Sequence, residues 1–141
     1  MNNKIFKFAE DDYEMCKYLI LTNNKEVIRV SPERIVYIIS DGNYSSMVLT
    51  NNDKHLFSFN LKTFEKLIQR QLHNGAQNLI RLGKQLIING NYIYHINISK
   101  QQITLSDMSF STKFTLRASK EALRTLKAAY EENVEKLMNI D

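Results

Sequence analysis

Arg34-Ile-Val-Tyr-Ile-Ile-Ser-Asp-Gly-Asn-Tyr44 is a β-branched, apolar run that stops at a cluster of turn residues. A run of this length bounded by turn formers reads as a buried strand. The Asp41-Gly42-Asn43 group tolerates the positive φ of a tight hairpin, so residues 44–50 return as the next strand. Asn51-Asn52-Asp53 marks another turn and residues 54–59 a third strand, which makes the centre of the chain an antiparallel meander.

Outward from the meander, residues 17–22 and 26–30 are β-rich and flank Asn23-Asn24, which predicts a hairpin. Ser31-Pro32-Glu33 reads as a single turn, with proline in the first-turn position where its missing N–H costs nothing. On the other side, Asn60 can cap a short helix from Leu61 to about Arg70, with Leu61, Phe64, Leu67 and Ile68 on one face. A polar loop over 73–78 leads to strands over 79–82 and 85–88, then to the turn Asn89-Gly90-Asn91. Residues 92–98 read as a strand with Tyr92, Tyr94, Ile96 and Ile98 on its apolar face, followed by strands over 102–106 and 113–116. Ser119 can cap a final helix to about Leu137, along which Leu123, Leu126, Tyr130, Val134 and Leu137 recur every three or four residues. We read that stripe as packing on the chain's own sheet, with another protomer as the alternative. The fold expected is mainly β with two helices.

Length and composition bound the function. The 141 residues suit one domain, and 43% hydrophobic with 24% charged residues is ordinary globular usage. One cysteine, Cys16, precludes an intramolecular disulfide and a multi-cysteine zinc site, which favours a cytoplasmic setting. The first ten residues lack the apolar core of a secretory signal, and no apolar run approaches the ~20 residues that cross a bilayer.

The net charge of +4 hides a division along the chain. Residues 1–16 carry −2 and residues 128–141 carry −3, so residues 17–127 carry +9. Such a middle segment is a plausible footprint for a polyanion, the plainer reading being a solvated lysine-rich surface. Catalytic groupings are missing: His55, His73 and His95 have no metal-ligand spacing, and the four glycines form neither a phosphate-binding loop nor a nucleophile elbow. Cys16 lies between acidic Glu14 and basic Lys17, which leaves thiolate stabilisation equivocal. We expect no enzyme, no cofactor and no metal site.

Three segments in order resemble the LytTR family, mostly-β DNA-binding domains of bacterial transcription regulators. The first is residues 34–44 followed by Leu61-Lys-Thr-Phe-Glu-Lys-Leu67. The second is Leu79-Ile-Arg-Leu-Gly-Lys-Gln-Leu-Ile-Ile-Asn89 with Tyr92-Ile93, and the third is Phe114-Thr-Leu-Arg-Ala-Ser-Lys120. The resemblance covers residues 17–127, leaving 1–16 as an acidic extension and 128–141 as the acidic end of the last helix.

That resemblance implies small antiparallel sheets whose loops, and not a recognition helix, enter successive major grooves of tandem direct repeats in double-stranded DNA. The matching positions are Ser45, Ser46, Lys84, Gln85, Arg117, Ser119 and Lys120, with Asn43, Lys54, Lys113 and Arg124 as secondary phosphate contacts. Arg and Lys can bond guanine O6 and N7, Gln can pair with adenine, and serine hydroxyls serve bases or phosphates. The middle segment departs from the family at Gly83-Lys84-Gln85, where histidine, arginine or serine is common. Family members often join this domain to a phosphorylatable receiver, for which the 16 residues before the first strand leave no room. The expected function is sequence-specific DNA binding in transcription regulation. A protein-interaction module docking a partner through the C-terminal helix is the alternative, with Leu123, Leu126, Tyr130, Val134 and Leu137 as the residues through which a homodimer or a protein partner would dock.

Overall fold

The computed structural model describes residues 17–109 and 112–139. Its strands are β1 (Leu19–Thr22), β2 (Val27–Val30), β3 (Ile35–Asp41), β4 (Tyr44–Leu49), β5 (Lys54–Phe57), β6 (Leu79–Leu82), β7 (Leu86–Asn89), β8 (Ile93–Asn97), β9 (Gln102–Leu105) and β10 (Phe114–Arg117). Helix α1 (Leu61–Leu72) sits between β5 and β6, and α2 (Lys120–Met138) closes the chain. The expected acidic extension and Cys16 fall outside the described residues.

The strands form a β1–β2 hairpin, a five-stranded sheet in the order β5-β4-β3-β7-β6, and a three-stranded sheet in the order β10-β9-β8. All pairings are antiparallel. The five-stranded sheet is buried on both faces. Ile35, Ile38, Met47, Phe57 and Ile87 pack with the hairpin and α1, while Val36, Val48, Leu86 and Ile88 pack with the three-stranded sheet and the first turns of α2. Two-sided burial is why β3 and β7 read as unbroken apolar runs and not as alternating patterns.

Two polar side chains replace missing strand partners. The β3–β4 register shifts between Ile35 and Tyr37, a bulge that puts Val36 and Tyr37 on the same side. There the buried Asn89 side chain donates to the Ile35 carbonyl at 2.9 Å and to the Pro32 carbonyl at 3.3 Å, taking over where the β3–β7 ladder ends. At the edge of the hairpin, Gln71 of α1 accepts from the Ile20 amide at 2.7 Å and donates to the Ile20 carbonyl at 2.9 Å, so the helix docks on β1 by imitating a strand. Both contacts satisfy backbone groups that would otherwise be stranded beneath the core.

Most expected elements are present, with three differences. Helix α1 runs two residues further, to Leu72, before His73 adopts a φ of +47°. Tyr92 lies in a 3-10 turn, Gly90–Tyr92, and a bulge between Ile93 and His95 turns Tyr94 to solvent, so the regular apolar alternation expected over 92–98 is lost. The third concerns α2. Leu123 is buried and Leu126 half-buried against the three-stranded sheet, but Tyr130, Val134 and Leu137 are exposed, so the stripe serves the chain's own core only at its start. The cause is length: at ~1.5 Å per residue α2 extends ~28 Å, well past four-residue strands of ~13 Å.

Burial and capping make stability testable. Ile38→Ala, at a fully buried position facing Met47 and Ile87, should lower the unfolding free energy by about 2–5 kcal/mol in urea denaturation. Asn60→Ala, which removes the side-chain acceptor for the Thr63 amide, should cost only about 1 kcal/mol. Burial raises the Tyr37 phenol above its usual range, and burial with the nearby Asp107 and Glu33 carboxylates raises Tyr92. The folded state therefore holds these protons more tightly. Their contribution is complete below pH 10.0 and declines as pH rises beyond it, a loss that should shrink in Tyr37→Phe when urea midpoints are compared across alkaline pH.

Candidate nucleic-acid interface

Two loops meet at one end of the five-stranded sheet. Asp41 pairs with Tyr44 across the β3–β4 turn, and Ile39 pairs with Leu86 at the start of β7, so the turn and the β6–β7 loop lie side by side. The Leu82–Leu86 pair leaves Gly83, Lys84 and Gln85 as the three-residue loop, with Gly83 at φ +71° where a side chain would be strained. Lys84, Gln85, Asn43 and Tyr44 are exposed there.

The loop is gripped through its backbone. Arg81 Nε donates to the Gly83 carbonyl at 2.9 Å, and Arg81 Nη2 donates to the Lys84 carbonyl at 2.9 Å. The Ser40 amide donates to the Gln85 carbonyl at 2.8 Å. All three loop carbonyls are thus turned into the scaffold. Arg81 Nη1 also donates to Glu65 Oε1 at 2.6 Å, which ties the loop to α1. The residues that face solvent are a cation and an amide, both suited to base edges or phosphates.

Arg117, Ser119 and Lys120 form a separate group at the end of the three-stranded sheet. Arg117 sits at the end of β10 opposite Gln102, and its Nη2 donates to Gln101 Oε1 at 2.8 Å. Gln101, at φ +55°, closes the β8–β9 turn and accepts the Ala118 amide on its carbonyl. Asn97 Oδ1 braces that turn by accepting from the Lys100 amide and the Ser99 hydroxyl. Ser119 caps α2, its hydroxyl accepting from the Ala122 amide at 3.1 Å, which places Lys120 in the first turn and Arg124 one turn on. The positive end of the helix dipole adds to these cations.

Ser45 and Ser46 do not belong to the surface. They were expected on a DNA-contacting loop, but they lie in β4 with 0% and 8% exposure, and Ser45 Oγ donates to the Phe59 carbonyl at 2.8 Å. The residue pattern itself reads 44–50 as strand, and pairing of Tyr44, Ser45 and Ser46 with Asp41, Ser40 and Ile39 carries them into the sheet, so the loop position that the resemblance implies is not met. Lys54 is exposed at the opposite end of β5 from the loop pair, and Lys113 lies at the far end of β10 from Arg117, its Nζ 4.8 Å from the Tyr94 ring centroid.

Other polar side chains emerged only with the register. His95, Thr104 and Thr115 form one rung of the open face of the three-stranded sheet, and Asn97, Gln102 and Arg117 form the next. Arg81 carried a sequence signal, a lone charge within the apolar segment 79–82, but its backbone partners did not. Among the described residues no group of three or more His, Cys, Asp or Glu could hold a metal ion, and no helix is long and apolar enough to cross a membrane.

A mostly antiparallel fold with two helices and cation-bearing loops defines the class. A model of the LytTr DNA-binding domain matches residues 25–131, so the chain belongs to the LytTR DNA-binding family. Among solved structures it is similar to the LytTr DNA-binding domain of a putative methyl-accepting/DNA response regulator from Bacillus cereus. The identity is 17%, the TM-score 0.52, and the match covers 88% of this chain and 98% of that one. A search of curated proteins yields no match. DNA binding in transcription regulation is the role the family carries.

Arg81→Ala should release two carbonyls and unpair Glu65, at a stability cost of about 1–3 kcal/mol, because bonds from a charged donor exceed neutral ones. Faster amide hydrogen exchange confined to residues 81–86 is the expected signature, read by mass spectrometry. Global acceleration would show that Arg81 supports the whole sheet instead.

Proposed function

We propose that this protein is a sequence-specific binder of double-stranded DNA that regulates transcription by presenting loop residues to major grooves. The supporting observation is the β6–β7 loop, whose three carbonyls are bonded to the scaffold while Lys84 and Gln85 face solvent. A loop held by its backbone reaches a base edge with little entropy left to lose. Lys84 and Gln85 supply readout at one groove, and Arg117 and Lys120 supply it at another, with Ser119 holding the end of α2 beside them. Asn43 and Arg124 are the accompanying phosphate contacts. Tandem half-sites in a promoter are the target arrangement that two separated loop groups would suit.

Fluorescence anisotropy against the duplex upstream of the protein's own coding sequence, beside a scrambled duplex, tests this reading. Tighter binding to the native duplex is expected, with affinity falling on added salt by a log–log slope of ~0.9 per neutralised phosphate. Lys84→Ala and Arg117→Ala should each cost about 1–3 kcal/mol on the native duplex and relax preference at one base pair. Arg124→Ala should weaken both duplexes alike. Unchanged binding in Lys84→Ala and Arg117→Ala together would reject the loop assignment.

A further inference from the structure

The outer face of α1 carries a line of cations. Lys62, Lys66 and Arg70 are exposed and recur every four residues, so they form one ridge of the helix, rising ~6 Å per step and ~12 Å in all. The opposite face is the buried one, with Leu61, Phe64, Ile68 and Leu72. Glu65 is the one acid of α1, and Arg81 engages it at 2.6 Å. Among the described residues none of the three cations has an ion-pair partner. The arrangement works against the helix twice. Like charges at this spacing repel, and Lys62 stands in the first turn, where the dipole favours an anion and no acid is present. A polyanion laid along the ridge would relieve both.

The ridge starts beside the candidate interface. Strand β5 ends with Phe57 opposite Ser45, next to Tyr44 at the β3–β4 turn, and Ser45 Oγ donates to the Phe59 carbonyl at 2.8 Å. Helix α1 therefore begins at the end of the sheet where that turn and the β6–β7 loop lie, and it runs toward the far end, where Leu79 pairs with Asn89. We propose that Lys62, Lys66 and Arg70 bind phosphates of one strand of duplex DNA beyond the base pairs that the loops read, so that the duplex continues along the outer face of α1. The inference rests on the DNA-binding reading above and adds to it a contact indifferent to sequence. One strand carries a charge every ~3.4 Å of axis, so a ~12 Å ridge spans about three phosphates. The loops lie at the end of the sheet and the ridge along its side, so the duplex curves toward α1 to meet all three cations, and Lys62 is reached first.

Anisotropy titrations of the full chain on the native and scrambled duplexes, at several salt concentrations, test the ridge. Lys62→Gln with Lys66→Gln and Arg70→Gln should weaken binding to both duplexes alike, at least tenfold at about 0.1 M salt, and lower the log–log slope by ~2–3. Lys66→Gln alone should take ~0.9 from the slope. The ratio of the two affinities should stay that of the wild type, unlike the ratio in Lys84→Ala or Arg117→Ala. The thermal midpoint should hold or rise, because repelling charges leave the helix. Lys25→Gln with Lys127→Gln and Lys136→Gln removes as much charge elsewhere and should leave the slope unchanged. A wild-type affinity and slope in the α1 variants, or an equal loss in the control variant, would overturn the inference and leave the loop reading standing. Equal binding of the wild type to both duplexes, with the α1 variants still weaker, would overturn the loop reading and support the ridge. A wild type that binds neither duplex would overturn both.

Discussion

Burial of both faces of the five-stranded sheet is the constraint on which the rest depends. Strands β3 and β7 have no solvent side, so each face needs its own cover: the hairpin and α1 on one, the three-stranded sheet and the start of α2 on the other. Two small cores share one sheet, and neither cover is large enough to form a separate domain. The aromatic cluster of Phe57, Phe59 and Phe64, with ring centroids 5.2–5.6 Å apart, belongs to the first face. The Tyr37–Phe114 edge contact, centroids 5.8 Å apart, joins the sheet to the second. Removing either cover would leave an apolar sheet face in water, at ~25 cal/mol for each Å² newly exposed.

The same constraint explains what could be read before the structure. Runs such as 35–39 and 86–88 are apolar throughout because both faces are buried, and the Asp, Asn and Gly groups between them mark hairpins, so strands and turns were legible locally. Register was not. Asn89 looks like a turn former in sequence, yet it is a buried surrogate partner for β3, a role that depends on a bulge 54 residues earlier in the chain. The resemblance alone places Ser45 and Ser46 on a loop, whereas the residue pattern puts 44–50 in a strand, which is where the β3–β4 register has them.

The candidate interface was legible in residue type and not in support. Lys84, Gln85, Arg117 and Lys120 are exposed as the resemblance implies, but what holds them comes from far away in the chain. Glu65 is 16 residues from Arg81, and Gln101 is 16 residues from Arg117. Electrostatics follow the same separation. Helix α2 carries Lys120, Arg124 and Lys127 beside one acid, Glu121, in its first half, and Glu131, Glu132 and Glu135 beside Lys136 in its second.

Arg81 holds the β6–β7 loop by carbonyl oxygens, which every amino acid possesses. The grip is therefore indifferent to the identity of residues 84 and 85, whose side chains project from it. Neither side chain takes part in the bonds that hold the loop, so the scaffold carries the two positions without depending on them. Substitution at 84 or 85 changes what the loop presents to solvent and leaves Arg81's bonds to the loop backbone in place.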